Sequence, residues 1–97
     1  MMMTFDIYLV KEGLDAGETL VETVSTPQEV IDFCQDWMEE NEFDQSSLDW
    51  VDFRLSWEKL DAREVHDGDT YQMSRYMRNG SGKIGLKVIQ TNIPDAE

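Results

Sequence analysis

The stretch from Thr26 to Phe43 constrains this fold more than any other, because a start signal and a one-sided apolar pattern coincide in it. Thr26 is a good N-cap, Pro27 suits the first helical position, and Glu29, three residues after Thr26, completes a capping box. At about 100° per residue, Val30, Ile31, Phe33, Cys34, Trp37 and Met38 share one broad face. Glu29, Asp32, Asp36, Glu39 and Glu40 fall on the opposite face. The spacing predicts a helix over 27–43. Its acids near the C-terminal end, Glu42 included, oppose the helix dipole and cost a little stability.

Around this helix the chain reads as short strands. Thr4 to Lys11 alternates about Phe5, Ile7 and Leu9, a loop follows at Glu12-Gly13 and Ala16-Gly17, and Thr19 to Val24 returns as a second strand. Val51, Phe53, Leu55 and Trp57 alternate with Asp52, Arg54, Ser56 and Glu58, which predicts a half-buried strand. Residues 69–79 fit a short helix slightly better than a strand: Asp69 serves as N-cap, Gln72 completes the box, Met73 and Met77 share a face, and Gly80 stops it. Ile84, Leu86 and Val88 form a last strand, and 91–97 read as a flexible tail. The Met1-Met2-Met3 start reads as alternative initiation or a loose end.

The expected fold class is therefore α+β, with a small mixed sheet of about four strands packed on one main amphipathic helix. The order is β-grasp-like, β-β-α-β-(α or β)-β, in a single domain over 1–97. The segment His66-Asp67-Gly68-Asp69-Thr70 resembles the Asp-Gly-Asp turn before a late strand in ubiquitin-like proteins. That resemblance covers five residues of the 97, and the diglycine tail of ubiquitin-like carriers is replaced by Ile93-Pro94-Asp95-Ala96-Glu97, so it implies no conjugation.

Charge narrows the function. Eight basic residues against 21 acidic ones leave a net charge of −13, which disfavours direct binding to nucleic acid or to an anionic membrane. The surplus is lopsided: residues 1–53 hold 14 acids and only Lys11, whereas 54–97 hold 7 acids and 7 bases. A surface acidified only for solubility would spread its carboxylates over every face. No apolar run approaches the roughly 20 residues that span a bilayer, and the single cysteine fits a reducing, cytoplasmic setting.

Catalytic groups are scarce. His66 is the only histidine, and Cys34 sits on the apolar helix face, where an inert buried thiol is expected. Asn79-Gly80-Ser81-Gly82-Lys83 has the composition of a phosphate loop without its spacing, so a turn is expected. His66, Asp67 and Asp69 lack a second cluster to complete a metal set. The expectation is no catalytic residue, no metal and no cofactor.

What remains is an acidic array. Glu29, Asp32, Asp36 and Glu39 follow a 3-4-3 spacing that sets neighbouring carboxylates about 5–6 Å apart. Glu40, Glu42, Asp44, Asp49 and Asp52 extend it, with Trp50 or Phe43 as an apolar anchor. The expected partner is a basic, nucleic-acid-binding protein, approached by an acidic mimic of DNA or RNA. In size and acidity the chain resembles, as a class, the phage-encoded inhibitors of restriction enzymes and CRISPR complexes. The alternative is a β-grasp-like adaptor or assembly module that uses a basic patch of Arg75, Arg78, Lys83 and Lys87, with a homodimer among its forms.

Overall fold

The structure, a computed structural model, describes residues 2–13, 16–43, 45–46, 48–58, 70–76 and 82–93. Strands β1 (Met2–Lys11) and β2 (Gly17–Val24) are followed by helices α1 (Pro27–Glu40) and α2 (Leu48–Glu58), then by strands β3 (Thr70–Tyr76) and β4 (Lys83–Ile93). The four strands make one sheet in the order β2-β1-β4-β3, and every neighbouring pair is antiparallel. The protein is a small α+β fold: a strand pair, a helix pair and a second strand pair.

Strand alternation decides which sheet face is covered. Phe5 pairs with Gln90, Ile7 with Val88 and Leu9 with Leu86 across β1 and β4, and Met73 of β3 pairs with Leu86. Phe5, Ile7, Leu86, Val88 and Met73 are all buried, so these positions mark the inner face. The helices meet them there with Val30, Ile31, Cys34 and Met38 of α1 and Trp50, Phe53 and Trp57 of α2. Trp57 is the hub. Its ring stands edge-on to Phe5 at 5.4 Å between centroids and tilts against Tyr71 at 4.1 Å. Each such buried side chain contributes about 1.5–3 kcal/mol. Among the described residues, no helix is long and apolar enough to cross a membrane.

Four expectations need correction. Residues 51–57 form part of a helix, not a strand. The alternation of Val51, Phe53, Leu55 and Trp57 is real, but Trp50, Phe53 and Trp57 also stand three and four apart, and that helical set is what the core buries. Residues 70–76 form a strand, not the favoured short helix, because pairing with β4 along the whole segment outweighs a local capping signal. The sheet is wholly antiparallel, so the mixed sheet expected of a β-grasp does not form. The presumed tail is also shorter, since Thr91, Asn92 and Ile93 pair with Thr4, Met3 and Met2, which draws the Met-rich start into the sheet as well. The expected turn at 66–68 lies outside the described residues.

The two readings of 51–57 separate experimentally. Trp57→Ala removes the hub and is expected to cost about 3–5 kcal/mol. Val51→Ala, at a position 38% exposed, is expected to stay within about 0.5 kcal/mol of wild type. Urea unfolding of both variants checks this, and a large loss at Val51 would restore the strand.

Candidate protein-interaction surface

The first helix begins as its sequence dictates. Thr26 is extended, its hydroxyl accepts from the Glu29 backbone N–H at 3.2 Å, and it donates to Glu29 Oε1 at 3.0 Å. Val30 N–H then donates to Thr26 C=O, the first helical bond. With Val30, Ile31, Cys34 and Met38 held in the core, rotation about the helix is fixed. Glu29, Asp32, Asp36, Glu39 and Glu40 are all exposed on the side away from the sheet.

Little neutralises this row. Gln28 Nε2 donates to Asp32 Oδ1 at 3.0 Å, and α1 carries no basic residue. Asp36, Glu39 and Glu40 meet no cation among the described residues, where the ion pairs are Arg54 with Glu58 at 3.0 Å and Lys87 with Glu18 at 2.6 Å. The carboxylates form a row and do not converge: among the described residues, no three His, Cys, Asp or Glu groups are placed to hold a metal ion. Asp52 is exposed on α2, on the same helical side of the molecule. Asp49 lies in the first turn of α2, and Asp44 falls outside the described residues.

The end of α1 explains how a helix tolerates acids where its dipole disfavours them. Asn41 is the cap; Glu42 N–H donates to Glu39 C=O at 3.3 Å and Phe43 N–H to Met38 C=O at 2.8 Å, the two bonds of a Schellman closure. Glu42 takes the left-handed turn position at φ 54°, which normally favours glycine. Phe43 folds back on Trp37, ring to ring at 5.9 Å. Arg75 of β3 completes the corner. Its guanidinium donates to the carbonyls of Asn41 and, at 2.6 Å, Glu42, and it lies 5.1 Å over the Phe43 ring. A cation at a helix C-terminus offsets the dipole that Glu39 and Glu40 aggravate. Sequence reading missed this role. The available signal was the end of α1 itself, which has neither glycine nor base and so requires a donor from elsewhere.

Arg75 is therefore structural, and the expected basic patch divides. Arg75 points to the helical side, whereas Lys87 lies on the open face of the sheet, bonded to Glu18 and 5.9 Å from the Tyr8 ring centroid. Lys83 has the same register parity as Lys87, which places it on that open face, behind the acidic helix. Arg78 is outside the described residues. The expected anchors are corrected too: Trp50 and Phe43 are buried, so neither can enter a partner's pocket. The end of the presumed turn at 79–83 has a structural purpose, because Gly82 (φ 151°) passes so close to Glu12 that any Cβ there would strike its carbonyl. His66, Asp67 and Asp69 lie outside the described residues.

Cys34 is fully buried, and burial pushes its thiol from 9.0 up to about 12. It is protonated at neutral pH and cannot serve as a nucleophile there. Compared with family models, curated proteins and solved structures, the chain matches none.

Two outcomes follow. Arg75→Met is expected to cost about 1.5–3 kcal/mol and to speed amide exchange at 38–43 while leaving 28–32 unchanged; uniform exchange along α1 would contradict the clamp. Native Cys34 is expected to resist alkylation at pH 8. Its raised pKa contributes stability that is intact below pH 9 and lost as pH rises towards 12, which the difference between wild type and Cys34→Ala in alkaline denaturation reads.

Proposed function

We propose that this protein is a non-enzymatic binding protein whose α1 carboxylate row occupies the nucleic-acid-binding surface of a basic partner protein. Glu29, Asp32, Asp36, Glu39 and Glu40 carry the contact, with Glu42 and Asp52 at its margins. The observation that supports this most is the exposed row itself, rigidly oriented by a capped helix and without a neutralising cation among the described residues.

Such a row has a cost and a use. Like charges at helical spacing destabilise by a few tenths of a kcal/mol per pair. Facing a groove lined with Arg and Lys, the same row gives long-range steering and charge-assisted hydrogen bonds. Its spacing resembles that of successive phosphates along a strand, which is the sense in which it mimics nucleic acid. The adaptor reading is weaker, because Arg75 and Lys87 are engaged within the molecule and cannot form one patch for an acidic partner.

The test is capture of binding proteins from lysate at low and high salt, followed by competition with double-stranded DNA and with RNA. Basic nucleic-acid-binding proteins are expected in the bound fraction at low salt, released by nucleic acid and lost as salt rises. The triple variant Asp32→Lys, Asp36→Lys, Glu39→Lys is expected to abolish capture while keeping its fold, because all three side chains are exposed. Undiminished capture by the folded triple variant would refute the assignment.

A further inference from the structure

Strand β2 is unlike the others. From Gly17 to Thr23 every residue is exposed, so neither sheet face of this strand is covered, and among the described residues its only strand partner is β1. It also carries Leu20, 52% exposed, and Val21, 41% exposed. Natural edge strands are blunted with charged side chains, proline or bulges, and β2 has two glutamates and one bulge. It lacks lysine and proline, and its Thr and Val residues favour strand pairing.

A bulge gives β2 a hidden symmetry. Ile7 pairs with Glu22 and Tyr8 with Leu20, so Val21 has no counterpart on β1. The extra residue resets which side chains face which way. Glu18, Leu20 and Thr23 lie on the open face: Glu18 bonds Lys87, Leu20 stands opposite Tyr8, and Thr23 donates to Asp6 at 2.9 Å. Thr19 and Glu22 lie on the helical face, opposite Leu9 and Ile7. In face assignment the strand is therefore symmetric about a point between Leu20 and Val21: Glu18 matches Thr23 on the open face and Thr19 matches Glu22 on the helical face.

We propose that two copies of the chain pair antiparallel through their β2 edges in this register, joining two four-stranded sheets into one of eight strands. Each Glu then stands opposite a Thr and never opposite another Glu, and the exposed Leu20 and Val21 of both copies meet at the centre. A slip of one residue would set open-face residues against helical-face residues. The arrangement is a closed, isologous dimer. Its two-fold axis passes through the sheet, so both helical layers, and both α1 carboxylate rows, lie on the same side.

The charge of the chain sets the sign of the test. Two copies at −13 each repel, so added salt strengthens this dimer, whereas it weakens attachment of an acidic row to a basic protein. Sedimentation or light scattering across protein concentration is expected to show a mass that doubles, at lower concentration in high salt than in low. Leu20→Lys and Val21→Lys, both at exposed positions, are expected to abolish the doubling with unchanged unfolding, and amide exchange at 17–24 is expected to slow only in the dimer. A monomer at every concentration and salt overturns the proposal. So does a dimer indifferent to both lysines, or protection of 17–24 that appears only when a Lys-rich extended peptide is added.

Discussion

The contact of Trp57 with Phe5 and Tyr71 organises this molecule. It ties the helix pair to one face of the sheet, joining α2 to central strand β1 through Phe5 and to edge strand β3 through Tyr71. Because only that face receives the helices, α1 has a single way to bury Val30, Ile31, Cys34 and Met38. Its polar side must then look outward. The acidic row is thus a consequence of packing: the core sets the orientation and the charge follows.

Polarisation between faces comes from the same geometry. Acids gather on the helical side, while the lysines of β4 belong to the opposite, open face of the sheet. Among the described bases on the helical side, Arg54 pairs with Glu58 within α2, and Arg75 is consumed in holding the end of α1, where two backbone carbonyls and the Phe43 ring surround it. This separation, partial because Asp6 and Glu18 lie on the open face, is what the proposed contact surface rests on. The unfavourable acids in the last turn of α1 and the left-handed Glu42 agree with that view, since each lowers local stability and persists because the clamp and the Schellman closure compensate.

Much of this was legible in the residues. The cap at Thr26, the apolar face of α1, the strand pair around Phe5 and Leu9, and the carboxylate row all follow from local rules whose signals agree. The misreadings share a cause. Residues 50–57 contain both a two-residue and a three-to-four-residue apolar period, and only the identity of the neighbouring layer selects between them. Residues 70–76 carry a capping signal that a full strand partner overrides. Arg75 looked like surface charge because its target, the bare carbonyls of Asn41 and Glu42, lies more than thirty residues away in sequence.

The account depends most on a coherent negative potential along α1. Paramagnetic relaxation of backbone amides by matched cationic and anionic cosolutes measures near-surface potential residue by residue. The account predicts that the cationic probe is most enriched, and the anionic probe most depleted, over residues 28–40, with the effect falling off across β3 and β4. A potential of the same size over both faces would contradict it.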